Sequence, residues 1–495
     1  SHKVPFMFSK FSKAIVKSGL APQKASFSSI KRSLLEVFNR QDVADPHFQI
    51  ATHNPLYPLA SHKVQYRQDQ APNYEITKLK NGITVVTESQ IFPNVVDFGI
   101  LLDVGTRDET HETSGALHSI KQTYYKTVLN TNETINYGMV QMSGGRFEMD
   151  YDQESTYFRA NCLAHDVVDI FNMVADCALE PRSVVAANAA MGKMHYQHEL
   201  EALLKTGHLI NDTLFQTAYG NRGLGNPLHG STHNYKYLHA HVLQKFQLEN
   251  INPNRIFVAA AGVENHQEFV ELVESKLSFI PAVQGNVAQR EASHYLGGEN
   301  RNQNDENVTT LALAFKSAEW GTQDVFALQV INALLGNASS YTTATGFHGR
   351  ALSNLLNKHS YIDAVNTINF NFSDSGLFGL TVTGASSNSN ELLQAAIGEL
   401  KGLTTVSNEE LQRAKSIAKA NILTALERQQ DRLEEAVRNV KVFGKVVYQQ
   451  HVDNIESVTA DQISKLVGNI ISSKPTFVAE GGEVARLPSL DRIES

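Results

Sequence analysis

Tyr74-Glu75-Ile76-Thr77-Lys78-Leu79-Lys80-Asn81-Gly82-Ile83-Thr84-Val85-Val86-Thr87 reads as a strand, a turn and a second strand. Apolar and polar side chains alternate before the turn, Asn-Gly suits left-handed backbone, and a β-branched run resumes after it. Working outward, residues 95–104 form a third strand ending at Gly105. Thr113-Ser114-Gly115 then opens a helix with Leu117, Ile120 and Tyr124 at helical spacing. Strands at 146–149 and 155–163, helices at 166–179 and 184–204, a strand at 255–262 and a helix at 265–279 complete one α+β unit over 72–282.

A linker over 283–294 leads to a second series over 295–490. It has a strand at 308–315, a helix at 322–335, and strands at 361–372 and 376–383. A long helix opens at Ser407-Asn408-Glu409-Glu410, a capping box in which Ser and Glu satisfy free N–H groups. Its expected inner face is Leu411, Ala414, Ala418, Ile422, Ala425 and Leu426. Two units of similar size and element order point to an internal duplication, in organisation and not in residue identity.

Composition agrees with several cores. The chain has 495 residues, 42% apolar, with 24 Phe and 16 Tyr. No segment approaches the roughly 18–20 apolar residues that cross a bilayer. Two cysteines, Cys162 and Cys177, make no disulfide framework and imply a reducing compartment. Residues 1–35 carry seven Lys or Arg and no acid, so the remainder has 36 bases against 51 acids, a net charge of −15. That balance excludes a nucleic-acid binder and favours basic partners. Residues 1–71 read as a basic extension of mitochondrial transit-peptide character, cleaved or retained as a surface arm. Haem-attachment, dinucleotide-fingerprint and P-loop motifs are all missing, so no cofactor is expected.

The segment His118-Ser119-Ile120-Lys121-Gln122 places positions 118 and 122 on one helical face with position 121 beside them. A zinc hydrolase of the H-x-x-E-H design needs imidazoles at 118 and 122 and a carboxylate at 121. Here the last two positions hold a cation and an amide. Glu199 follows Gln122 after 76 intervening residues. His195, His198 and Glu199, at i, i+3 and i+4, form an alternative metal set, set against the plainer reading of a polar helix face.

At this point the chain resembles the M16 (pitrilysin-like, inverzincin) peptidase family, whose motif is followed at nearly this distance by a third, glutamate ligand. His118 and Glu199 match ligand positions; Lys121 departs at the base and Gln122 at the second ligand. Further marks are Leu79-Lys80-Asn81-Gly82, Gly105-Thr106-Arg107-Asp108-Glu109, Gly144-Gly145-Arg146, Tyr295-Leu296-Gly297-Gly298-Glu299 and Asp374-Ser375-Gly376-Leu377-Phe378-Gly379.

The resemblance implies two homologous LuxS/MPP-like α/β sandwich domains, each presenting an open sheet face to a chamber closed by a partner. It also implies the non-catalytic branch of the family, that of complex III core 2 and processing-peptidase α subunits, with no catalytic residue and no metal. The implied partners are a β or core 1-type M16 chain, cytochrome b, cytochrome c1 and the Rieske subunit, with basic presequence peptides as a further candidate. The implied place is the matrix face of the mitochondrial inner membrane, without a spanning segment. A presequence-handling glycine-rich loop of the α branch is represented, in degenerate form, by Gly336, Gly346 and Gly349, which are separated and make no run.

Overall fold

The computed structural model describes residues 73–89, 94–127, 133–180, 198–199, 202, 210–231, 234, 237–282, 290–339 and 349–490. The expected extension 1–71, most of the helix at 184–204, His195, Gly346 and most of the linker lie outside the described residues.

The hairpin forms. β1 (Tyr74–Lys78) and β2 (Thr84–Ser89) pair antiparallel around a loop closed by the Leu79 N–H on the Ile83 carbonyl, 2.8 Å. With β3 (Val95–Leu102), β4 (Arg146–Tyr151), β5 (Thr156–Leu163) and β6 (Ile256–Val263) they make a sheet of order β1-β2-β6-β3-β5-β4, in which β2 and β6 alone run parallel. The second sheet contains β7 (Gly298–Gln303), β8 (Val308–Ser317), β9 (Ala338–Ser339), β10 (Ile362–Asn371), β11 (Gly376–Ala385) and β12 (Thr476–Gly481). Its order is β7-β12-β8-β11-β10-β9, with β7 and β12 parallel. The run β2-β6-β3-β5-β4 thus has the same connectivity and the same parallel pair as β7-β12-β8-β11-β10. The duplication read from element order is present as topology.

Helices α1 (Ala116–Lys121), α2 (Glu133–Met142), α3 (Val167–Leu179), α4 (Ile210–Tyr219), α5 (Ala240–Asn250) and α6 (His266–Leu277) belong to the first half. α7 (Asp324–Leu335), α8 (Ser389–Gly402), α9 (Asn408–Glu427), α10 (Gln429–Phe443), α11 (Tyr448–Ser457) and α12 (Ala460–Ile471) belong to the second. One face of each sheet packs on its own half's helices, through Phe98, Phe147, Phe158 and Phe171 in the first and Phe378, Leu380, Phe477 and Ile331 in the second.

The other two faces are covered by exchange. Leu433, Val437 and Val440 of α10 lie on Val86, Leu101, Tyr157, Phe257, Ala259 and Ala261 of the first sheet. Reciprocally, Ile210, Leu214, Phe215 and Ala218 of α4 lie on Ala312, Ala314, Ile368, Leu377 and Val478 of the second. This corrects the expectation of open sheet faces. It also explains why β6, Ile-Phe-Val-Ala-Ala-Ala-Gly-Val, is apolar throughout: a strand covered on both sides has no solvent face to make polar.

Charge ties the halves together at the same places. The Arg432 guanidinium on α10 donates to both oxygens of Glu88 at 2.7–2.9 Å, and the two side chains are 8% and 1% exposed. Arg107, 2% exposed, joins Glu154 of the first half to Asp374 of the second and reaches Ser293 and the Glu291 carbonyl. Arg290 donates to Asp103 and Asp108. The marks Gly105–Glu109 and Asp374–Gly379, distant in sequence, therefore meet in one inter-half network.

The α9 capping box is present, with the Glu410 N–H on Ser407 Oγ at 3.3 Å and the Ser407 N–H on Glu410 Oε2 at 3.1 Å. Its inner face is shorter than expected. Leu411, Ala414 and Ala418 are buried, whereas Ile422 and Leu426 are half-buried and Ala425 is exposed. The helix runs off the core as the chain turns toward α10.

Arg350 grips the start of α9, donating to both Glu410 oxygens at 2.9–3.0 Å and to the Gly402 and Thr405 carbonyls. These bonds hold the Glu410 carboxyl down to about 2, with Ser407 adding to the effect. A depressed carboxyl stabilises the fold above its ordinary range and loses that contribution as pH falls from about 4.5 toward 2. Glu410→Gln is expected to lose about 1 kcal/mol at pH 6, allowing for solvent screening, and to lose clearly less at pH 2.5. Urea unfolding at the two pH values checks it; an equal difference at both would remove the linkage.

Candidate functional site

α1 is started by a buried acid. Glu109 accepts the backbone N–H groups of Gly115 at 2.8 Å and Leu117 at 2.9 Å, satisfying two free donors at a helix N-terminus. Burial pushes its carboxyl up to about 8 against the pull of those N–H groups. Gly115 precedes the helix at φ +90°, a conformation that a residue with a Cβ adopts at a cost.

The helix carries His118, Lys121 and Gln122 to one place beside β4. His118 is 3% exposed. Its Nδ1 lies 2.8 Å from the Tyr151 hydroxyl, which itself donates to the Leu228 carbonyl at 3.1 Å. The hydroxyl has one proton to give, so it accepts from Nδ1–H, and Nε2 carries the imidazole's lone pair. Nε2 faces Glu199 Oε2 at 3.2 Å. Burial, with His229 and Lys121 nearby, pushes the imidazole pKa down to about 3. At neutral pH the contact is therefore not an ion pair.

Gln122 donates its amide to the same Glu199 oxygen. Lys121 turns to β4, with Nζ 3.0 Å from Asp150 Oδ1 and 5.6 Å from the centre of the Tyr151 ring. The second Asp150 oxygen takes Arg159 at 2.5 Å, and Arg159 reaches Glu434 of α10 at 3.1 Å. His229 stacks edge-on to His118 with ring centres 5.3 Å apart, its Nδ1 3.1 Å from Asp212 Oδ2.

The fold thus brings together His118, Lys121, Gln122 and Glu199. Sequence reading missed Tyr151, Asp150, His229 and Asp212. Tyr151 and Asp150 sit at the end of an edge strand, a position periodicity does not mark. His229 lies in a loop after Pro227 with no repeat to signal it.

The residues present do not fit a zinc ion. The ammonium at 121 supplies no proton acceptor, and the amide at 122 is spent on the one carboxylate a metal would need. Among the described residues no three His, Cys, Asp or Glu side chains are grouped to hold a metal. Of the alternative set, His195 lies outside the described residues; His198 and Glu199 are exposed, and Glu199 is turned to Gln122 and His118.

Two of the three loop glycines serve the loop's base. Gly336 ends α7 at φ +66° with its N–H on the Asn332 carbonyl. A Cβ on Gly349 would stand 2.1 Å from the Leu335 carbonyl oxygen. Both close the loop, which is a sufficient reason for glycine without a peptide. Among the described residues, no helix is long and apolar enough to cross a membrane.

Comparison with known proteins agrees with this geometry. The insulinase (peptidase family M16) model matches residues 84–232, and the peptidase M16 inactive domain model matches residues 237–418. The mitochondrial-processing peptidase subunit alpha of Solanum tuberosum is 28% identical over 430 residues, 85% of this chain and 84% of that protein. A probable mitochondrial-processing peptidase subunit beta of Arabidopsis thaliana is 24% identical, covering 91% of this chain and 84% of that one. Among solved structures, a chain of Complex III2 from Candida albicans with Inz-5 bound superposes with a TM-score of 0.73 at 16% identity, over 85% of this chain and 98% of that chain, a likeness of fold. Two six-stranded sheets sharing a duplicated five-strand run, an altered H-x-x-E-H helix facing Glu199, and family matches across both halves place the chain in peptidase family M16.

Proposed function

We propose that this chain is a non-catalytic M16 subunit of the core 2 or processing-peptidase α type, acting as a scaffold in respiratory complex III. It sits peripherally on the matrix face of the mitochondrial inner membrane, paired with a β or core 1-type M16 chain. The observation that carries this reading is the pairing at the motif: Lys121 with Asp150 and Gln122 with Glu199. Where a hydrolase needs a base and a ligand, these side chains are committed to structural bonds. Relatives named as alpha and as beta subunits, and the fold likeness to a chain of a complex III assembly, support a paired role. On this reading the chain holds no cofactor and meets cytochrome b, cytochrome c1 and the Rieske subunit within the complex.

A second reading has the chain as the substrate-recognising α half of a presequence peptidase whose partner brings the intact motif. The Solanum tuberosum relative favours it, and one assembly can serve both roles. Native purification through a tag on this chain tests both. Co-purifying cytochromes and an H-x-x-E-H partner, without presequence cleavage, support the scaffold. Cleavage that vanishes on removing this chain supports the peptidase half. Recovery of the chain with no second M16 chain would overturn both.

A further inference from the structure

The pair Asn81-Gly82, which turns the first hairpin, is the only Asn-Gly in the chain. Its side chain also ties that hairpin to a helix. Asn81 Nδ2 donates to the Leu277 carbonyl at 3.2 Å and to the Ile280 carbonyl at 3.3 Å, at and just past the C-terminal residue of α6. Its Oδ1 accepts the Ile83 N–H at 3.3 Å. The position thus uses one acceptor and two donors on a short side chain, a set that asparagine supplies and aspartate or serine does not. Position 82 is equally fixed. Gly82 is buried at φ +110°, and a Cβ there would stand 2.4 Å from Asn254 Oδ1.

These two demands set a thermolabile amide beside the one residue whose backbone nitrogen has no side chain to shield it. The chemistry open to them is succinimide formation. The Gly82 nitrogen, giving its proton to a solvent base, bonds to Asn81 Cγ, while the Cγ–Nδ2 bond breaks and ammonia leaves with a proton from water. Water then opens the five-membered ring at either carbonyl, leaving aspartate or isoaspartate. One water is consumed and one ammonia released, with no oxidant or reductant. In the closed fold both reacting groups are held: the Gly82 N–H donates to the Leu79 carbonyl at 3.0 Å, and the Asn81 amide is bonded to the end of α6. Attack requires both sets of bonds to break, so it proceeds from a locally opened turn.

The product does not fit the closed turn. A carboxylate at 81 would set negative charge against two carbonyl oxygens, one of them on the last residue of α6, where the helix end already carries partial negative charge. Lys276, the basic residue of that last turn, is held by Asp176 at 2.7 Å. Isoaspartate adds a backbone methylene to a loop that the Leu79 N–H closes on the Ile83 carbonyl at 2.8 Å. We propose that Asn81 is a spontaneous deamidation site gated by the docking of the β1–β2 turn on α6. Opening of that contact admits the reaction, and conversion to aspartate or isoaspartate keeps the contact from re-forming.

The test begins with the full chain kept at neutral pH, one sample folded and one unfolded in urea, with the amide-to-acid mass gain followed on the peptide that contains Asn81. The folded sample is expected to convert at least about tenfold more slowly, because reaction waits on local opening. Hydrogen exchange across residues 79–83 and the end of α6 then reads the product. Asn81→Asp is expected to exchange there about tenfold faster than the parent, and Asn81→Ala, which loses the two bonds without adding charge, by a smaller factor. Equal conversion in the folded and unfolded samples overturns the gate. Exchange in Asn81→Asp no faster than in the parent overturns the one-way character of the change. If Asn81→Asp fails to fold, the same exchange is read on parent chain aged to partial conversion, where the converted fraction is expected to be the faster one and equal exchange overturns the proposal.

Discussion

Arg107→Ala is expected to lower the stability of the described fold by about 3–5 kcal/mol, the cost of leaving buried charges without their partner. The guanidinium is 2% exposed and meets Asp374 at 2.9 and 3.2 Å, Glu154, Ser373 and Ser293. Truncation leaves Glu154 and Asp374 facing each other across the junction of the halves. Burial alone would raise the Asp374 carboxyl, but the bonds from Arg107 and Ser293 outweigh it and hold it below the usual range. That contribution exists above the ordinary carboxylate pKa and fades as pH falls below it. The Arg107→Ala penalty should therefore shrink in acid. Lysine at 107 should recover only part of the loss, because an ammonium cannot give two parallel N–H bonds to one carboxylate. Urea midpoints at pH 7 and pH 3.5 check both statements. An Arg107→Ala midpoint equal to the parent's would mean that the halves are held by apolar contact alone.

The second large effect concerns the motif itself. The double variant Lys121→Glu, Gln122→His is expected to retain about one zinc ion per chain after dialysis, where the parent retains none. Position 122 lies one helical turn from His118, and an imidazole there would project to the same side, toward Glu199. His118 already has its tautomer set by Tyr151, with Nε2 directed at the Glu199 carboxylate. Metal analysis of the purified chain reads the outcome, and adding Glu199→Ala should abolish retention. Tyr151→Phe in the same background should weaken zinc by about 10–100-fold, since it frees the imidazole to turn. A double variant as metal-free as the parent would sink the description of these four residues as an altered zinc motif.

Local signals were readable where they depend on neighbours in sequence. The Asn81-Gly82 turn, the Ser407–Glu410 box and the β-branched run of β2 each follow from short-range chemistry, and each is found. The spacing of His118, Gln122 and Glu199 also sufficed to bring the altered motif together. The exchange of α4 and α10 was not readable. α10 carries Leu433, Val437 and Val440 on one face, a stripe that says a surface is buried but not against which half. Partners such as Asp150 and His229 were missed for the same reason, because a hydrogen bond across a fold leaves no period in the chain. The truncated inner face of α9 shows the converse: Ile422, Ala425 and Leu426 keep the helical stripe where no core remains beneath it.

The exchange of helices has a consequence for biogenesis. When such a chain is delivered end first, from a ribosome or through a translocation pore, the strands of its leading sheet are complete at Val263, long before Phe443 arrives to roof them. Val86, Leu101 and Phe257 must wait in water or in the grip of a chaperone. A nascent chain arrested between those two points would be a sticky intermediate, and holdase demand should fall sharply once α10 has emerged.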